Sequence, residues 1–231
     1  MVLTYWRGNP PSTVREKRSR AISLLMLAIF CRPSDLAKFS TDHTVLSGTE
    51  LRYRIRGPKE AKDPHYLTPV QVIPMMADND SEVDVCVARA LLSYWDSISD
   101  RTRDTSSGRG IFWSLKPSKG SSMLSPIGAE CLSNLMREVM ISAGVDPSFT
   151  GGSARAVGST AALESGMDFT SVMTRGRWSS QWVFNKFYKR TRLMYMDARA
   201  RAAPARRSRL RPAEQIVSAS EESASESASA E

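Results

Sequence analysis

Toward the C-terminal end of the chain, Gly152-Ser153-Ala154-Arg155, Gly166, Gly176-Arg177-Trp178-Ser179-Ser180, Phe184 and Tyr188-Lys189-Arg190 follow one another, with Arg32 and Lys59 well upstream. A guanidinium fork can take two oxygens of a phosphate at once, an indole N–H can take a third, and a phenol can attack phosphorus. Spread over short helices, these groups make a candidate phosphoryl-transfer site.

The charge fits such a substrate. The formal net charge is +8 over 231 residues, and the five glutamates after Pro212, with no Lys or Arg among them, leave residues 1–212 at +13. A body of that charge suits a polyanion, because cations that neutralise phosphates release counterions. Cys31, Cys86 and Cys131 lie far apart with neither zinc spacing nor an even count, and are expected to be buried free thiols in a reducing compartment. No apolar run approaches the ~20 residues needed to span a bilayer, and Met1-Val2-Leu3-Thr4-Tyr5-Trp6-Arg7 lacks a signal-peptide apolar region. An intracellular protein is expected, nuclear if eukaryotic, with no membrane partner.

The elements that must position the site can be read in outline. Ser12 or Thr13 is a cap candidate before Ala21-Ile22-Ser23-Leu24-Leu25-Met26-Leu27-Ala28-Ile29-Phe30, a run too long for a strand and read as a buried helix ending at Cys31-Arg32-Pro33. Ser34 is the expected cap of a second helix, which puts Arg32 at a helix junction. Residues 44–73 switch period. Leu51-Arg52-Tyr53-Arg54-Ile55-Arg56 alternates, Gly57-Pro58 breaks it, and Thr68-Pro69-Val70-Gln71-Val72-Ile73 alternates again, predicting a small antiparallel sheet with one basic face (Arg54, Arg56) and a turn carrying Lys59 and Lys62. Helices follow at about 82–97, 126–143, 153–165, 168–175 and 180–200. The fold class is mainly α with a small antiparallel β-sheet inserted (α+β). The domains are a lead-in over 1–11, one catalytic-like domain over 12–203, and a basic then Ser/Ala/Glu-rich tail over 204–231, disordered after about residue 213 because it is too poor in apolar residues to offset its ordering entropy.

In this order and spacing the motifs resemble the catalytic domain of the tyrosine recombinases, or phage-type integrases, and within them the versions carried by DIRS-type retrotransposons and cryptons. The resemblance rests on Phe30-Cys31-Arg32-Pro33-Ser34-Asp35-Leu36, the Lys59 turn, Ser153-Ala154-Arg155-Ala156 through Gly166, and Gly176-Arg177-Trp178-Ser179-Ser180 through Phe184 and Tyr188, and covers roughly residues 12–195.

The resemblance implies roles. Tyr188 is the nucleophile that forms a 3′-phosphotyrosyl intermediate. Arg32 and Arg155 hold the non-bridging oxygens, and Lys59 protonates the departing 5′-oxygen, with Lys62 in the same turn as the alternative. Trp178 donates its indole N–H to the phosphate, and Asp35 orients the arginines. Arg54, Arg56, Lys62, Lys189 and Arg190 contact DNA. Double-stranded DNA and further copies of the chain are the implied partners, residues 191–203 being the segment that packs on a neighbouring protomer. No metal or other cofactor is implied.

Two departures qualify it. The family's histidine, three residues before the second arginine, is Gly152 here; the chain's histidines are His43 and His65, the latter expected to be a solvated loop residue. Relatives also carry an N-terminal helical domain that closes around DNA, whereas about a dozen residues precede the first expected helix. That domain is expected to be encoded elsewhere, or lost by truncation. Each residue also has an ordinary reading: Tyr188 with Phe184 and Phe187 as a core cluster, Trp178 as packing, Arg32 on helix-end carbonyls, Lys59 as a solvated turn residue, Arg155 in a surface salt bridge. Three functions stand in order: DNA cleavage and rejoining in recombination or integration of a mobile element, a decayed DNA-binding module, and a type IB topoisomerase-like nicking and resealing activity.

Overall fold

The computed structural model of the protein describes residues 1–98, 110–117, 119 and 122–188, with Phe187 by its backbone alone. The expected lead-in holds a helix, α1 (Val2–Gly8). Trp6 is buried and its indole donates to Ser23 Oγ at 2.9 Å, so one aromatic anchors a helix too short to show a period.

Thr13 starts the central helix, α2 (Val14–Ile29). Its hydroxyl accepts the Glu16 N–H, while the Glu16 carboxylate accepts from the N–H groups of Ser12 and Thr13. This capping box satisfies donors that a helix start otherwise leaves open, and the backbone bonds hold the Glu16 carboxyl down at about 2. Ile22, Leu25, Met26 and Ile29 are fully buried, each contributing roughly 1.5–3 kcal/mol. The helix packs against α4 (Val87–Asp96), α5 (Ala129–Ser142) and α6 (Ser153–Glu164). At the α2–α6 crossing a Cβ on Gly158 would stand 2.3 Å from the Leu27 carbonyl oxygen, so only glycine lets the two backbones come this close.

After Phe30, α3 (Pro33–Leu36) begins two residues earlier than expected. Arg32 rather than Ser34 is the N-cap, with Pro33 at the first helical position, where its missing N–H costs nothing, and the Asp35 carboxylate accepting the Arg32 N–H.

The sheet has three strands in the order β1-β2-β3, all antiparallel: β1 (Thr44–Leu46), β2 (Glu50–Tyr53) and β3 (Gln71–Pro74). Leu51 and Tyr53 point into the core and Arg52 points out, as the alternation predicts. The continuous strand stops at Tyr53 rather than at Arg56: the Ile55 N–H turns to Thr68 Oγ1, and pairing resumes only as an isolated bridge between Arg56 and Leu67. The outer face is mixed rather than purely basic: in register, Arg52 lies between Val45 and Val72, both exposed. Arg54 is half-buried with its Nε on the Thr68 carbonyl, and Arg56 is exposed.

The chain ends, as described, with α7 (Phe169–Gly176) and α8 (Gln181–Phe187). Of the helix expected over 180–200 only this first part is described. Lys189, Arg190, the segment 191–203 and the tail 204–231 lie outside the described residues. Cys31 and Cys86 are buried, but Cys131 is exposed, on an outward position of α5. Burial pushes the Cys31 thiol up to about 12, which makes it unreactive. Among the described residues no helix is long and apolar enough to cross a membrane.

Candidate active site

Two left-handed turns frame the site. Phe30 (φ 50°), which closes α2, and Arg177 (φ 58°), which closes α7, are the non-glycine residues with positive φ among those described. Each such residue costs roughly 1–2 kcal/mol. Arg155, one turn before Gly158 on α6, ties the two helix ends together. Its Nη1 donates to the Phe30 carbonyl at 2.7 Å and its Nη2 to the Gly176 carbonyl at 2.6 Å. Carbonyls at helix C-termini are the negative ends of their dipoles and favour a cation. At 1% exposure this is no surface salt bridge.

Trp178 folds back over Gly176 so closely that a Cβ there would lie 1.8 Å from the indole Cζ3. The ring covers Arg155, whose Cζ is 4.1 Å from the indole centroid and 5.2 Å from the Tyr188 ring centroid. Trp178 also meets Phe184 and Tyr188 edge-on at 4.7 and 4.9 Å. Its indole N–H is buried with no acceptor among the described residues. Tyr188 closes α8; its N–H goes to the Phe184 carbonyl, and its own carbonyl accepts the Thr160 hydroxyl of α6. The Tyr188 backbone is therefore held both by its own helix and by the helix of Arg155.

Arg32 comes in from the α2–α3 junction, partly exposed. Its Nη1 hydrogen-bonds Glu60 and stands 3.7 Å from Asp35 Oδ2. The Glu60 carboxylate also stands 3.8 Å from Arg155 Nη2, so one carboxylate lies between the two arginines. Asp35, fully buried, accepts a 3.1 Å hydrogen bond from Arg177 Nη2, so it orients Arg32 and Arg177 rather than Arg155. Burial, followed by the charges of Arg32 and Arg177, lowers Arg155 to about 10, still a cation at neutral pH. For Arg32 burial is the largest influence and pulls downward, but the Glu60 hydrogen bond and charge, with Asp35, outweigh it and the net direction is up.

Thus Arg32, Arg155, Trp178 and Tyr188 gather around one spot. The hairpin residues arrive differently. Lys59 is exposed on the turn, and its neighbour Glu60 is the residue that reaches the arginines. Lys62 lines a cleft of about 490 Å³ between this turn and the end of α7, together with Glu60, Asp63, Tyr66, Arg175 and Arg177. Gly152, the N-cap of α6, is exposed, and a Cβ there would meet only Thr150 Oγ1, at 3.6 Å. His65 is exposed in the turn. Sequence reasoning assigned nothing to Glu60 or Arg177. Arg177 stands inside the quoted Gly176-Arg177-Trp178 motif and Glu60 directly follows Lys59, but only the tertiary structure shows which groups they meet.

No protein-family model and no curated protein matches the chain. Solved structures do. A complex titled as the XerH site-specific recombinase bound to difH substrate before cleavage matches with a TM-score of 0.58 at 11% identity, over 85% of this chain and 49% of that one. XerA recombinase matches with a TM-score of 0.55 at 16% identity, over 91% and 61%. The integrase of transposon Tn1549, in complex with circular intermediate DNA, matches with a TM-score of 0.51 at 14% identity, over 86% and 61%. The chain spans about half to three fifths of these proteins' lengths. Its fold is that of the tyrosine recombinase catalytic core.

Proposed function

We propose that this chain cleaves and rejoins double-stranded DNA through a 3′-phosphotyrosyl intermediate, in recombination or integration of a mobile element of the DIRS or crypton kind. The observation that carries the reading is the convergence of Arg155 on α6, Trp178 in the turn after α7 and Tyr188 at the end of α8 on one point, with Arg32 joined to it through Glu60. That the matched structures include DNA-bound recombinases supports it.

In this reaction the Tyr188 oxygen attacks the scissile phosphorus and loses its proton to water, position 152 having no histidine. The bond from phosphorus to the 5′-oxygen breaks, and that oxygen takes a proton from Lys59, or from Lys62 in the same turn, and leaves as a 5′-hydroxyl. Arg32 and Arg155 hold the non-bridging oxygens as charge grows on them, and the Trp178 indole N–H, unpartnered here, acquires an acceptor. One phosphodiester is exchanged for another of similar energy, so a 5′-hydroxyl from either strand can reverse the step with no nucleotide cofactor. Arg54, Arg56 and Lys62, with Lys189 and Arg190, would hold the duplex, and several copies would assemble on it.

The test is to incubate the protein with nicked duplexes bearing the sequences that flank its own gene and to look for a denaturant-resistant adduct. Tyr188→Phe is expected to abolish the adduct, by at least ~10³-fold, while leaving binding within about twofold. Equal attachment by the mutant would overturn the reading. One pair of observations favours the second reading, a DNA-binding module without chemistry: Gly152 replaces the histidine, and both Nη atoms of Arg155 are already engaged by carbonyls. Steeply salt-dependent binding with no adduct would select it.

A further inference from the structure

The Glu60 carboxylate occupies the space between Arg32 and Arg155 where the proposed reaction needs a phosphate. It hydrogen-bonds Arg32 and lies 3.8 Å from Arg155 Nη2, while Asp35 supports Arg32 from the other side. A carboxylate presents two oxygens to guanidinium forks much as a phosphate does, and the two compete for the same donors. We infer that Glu60 is an internal latch: it stands in for the scissile phosphate, closes the site to anions, and is expelled when DNA arrives.

The turn is built for this exchange. Glu60 belongs to one hydrogen-bonded turn, Ala61 N–H to Pro58 carbonyl, and the loop that carries it is pinned at its base by Gly57 N–H on the Tyr66 carbonyl and Lys38 Nζ on the Gly57 carbonyl. The base is therefore fixed while the tip carries adjacent residues of opposite charge. An arriving phosphate repels Glu60 and attracts Lys59, so the move that frees the arginines also favours bringing an ammonium to the leaving oxygen. The latch holds the arginines, which otherwise would face each other as like charges. Burial and the mutual repulsion of Arg32, Arg155 and Arg177 already lower Arg155, and an anion between them relieves part of that cost.

The inference rests on the strand-cleavage reading for its consequence, but its core is a statement about anions and can be tested without DNA. Inorganic phosphate is titrated into the protein labelled with ¹⁵N at tryptophan, following the indole resonance of Trp178, which Trp178→Phe assigns. A site open only about a tenth of the time binds about tenfold more weakly than its intrinsic affinity. Glu60→Gln is therefore expected to tighten phosphate binding about tenfold. Asp63→Asn makes the same change in net charge in the same loop, where the Asp63 carboxylate accepts the His65 N–H, and is expected to move affinity less than about twofold. Glu60→Asp keeps the charge but withdraws it by one methylene, and is expected to bind phosphate more tightly than the wild type. Equal effects of Glu60→Gln and Asp63→Asn, or wild-type affinity in Glu60→Asp, would overturn the latch. Adduct assays run in parallel separate the two ideas: tighter phosphate binding with no adduct in any variant keeps the latch and sinks the cleavage reading, and an adduct with unmoved phosphate affinity does the reverse.

Discussion

Among the described residues two arginines are buried beside two tryptophans, and the pairs differ in their surroundings. Arg18, on α2, donates through Nη1 to the Trp113 carbonyl at 2.8 Å, and Trp113 is buried with its indole N–H unpartnered among the described residues. Arg155 donates to two carbonyls and lies beneath Trp178, whose indole is likewise unpartnered. Burial is the main influence lowering both guanidinium groups. For Arg18 the next influences are Tyr94 and Cys131, weakly acidic groups that favour its charge; for Arg155 they are Arg32 and Arg177, which oppose it. A buried arginine with an aromatic neighbour is thus no mark of a site. Cations placed against one another, with carboxylates between them and a phenol alongside, cost stability, and it is this arrangement on which the proposed anionic ligand rests.

Lysine substitution sharpens that contrast most. Arg155→Lys keeps a positive charge but loses the fork that spans the Phe30 and Gly176 carbonyls and that the proposed reaction uses on the phosphate. Adduct formation is expected to fall by roughly 10²–10³-fold, the cost of losing one preorganised donor in a transition state. Arg18→Lys loses one buried hydrogen bond, and is expected to lower the unfolding free energy by about 1–3 kcal/mol while leaving the adduct yield of folded protein unchanged. Urea unfolding and adduct gels on the same preparations check both. An equal loss of adduct in the two variants would reduce Arg155 to a packing residue.

The order of the candidate residues was legible in the sequence because it lies in one-dimensional spacing: Arg32 before a proline, Arg155 opening a helix, Trp178 and Tyr188 flanking another. The central helix was legible from its apolar run and the Thr13–Glu16 cap. What escaped is what depends on close approach. Nothing local says that Gly158 lets α6 touch α2, that Gly176 leaves room for the Trp178 ring, or that Glu60 rather than Lys59 faces the arginines. Helix α1 escaped because it is short and holds the core through Val2 and Trp6, the latter reaching a serine seventeen positions on. The strand expected through Arg56 was interrupted because the Thr68 hydroxyl captures the Ile55 N–H, leaving Arg56 in an isolated bridge with Leu67.

Gly152→His asks whether the site lacks only its histidine. The position is exposed at the start of α6, one turn before Arg155, and a Cβ there meets nothing closer than Thr150 Oγ1 at 3.6 Å, so the substitution is expected to fold normally. If the rest of the constellation is competent, adduct formation should rise by roughly 10–10²-fold, the lower part of what acid–base assistance supplies, and gain a pH dependence near the ordinary histidine range of about 6.5. No gain, in a variant that still binds DNA, would place the defect in the arginines and favour the binding-only reading.

The smallest expected effect returns to the two tryptophans. Trp178→Phe and Trp113→Phe each remove an indole N–H that has no acceptor among the described residues, so neither loses a hydrogen bond in the free protein. Leaving such a group buried costs roughly 1–3 kcal/mol, and its removal offsets part of the packing lost with the smaller ring. If Trp178 is a donor waiting for phosphate, its phenylalanine variant should lose about tenfold in adduct rate with Tm hardly changed, whereas Trp113→Phe should change neither. A fall that appears in Tm rather than in rate at Trp178 would mean that its indole only fills the space above Arg155, and the two tryptophans would then differ in neighbours but not in role.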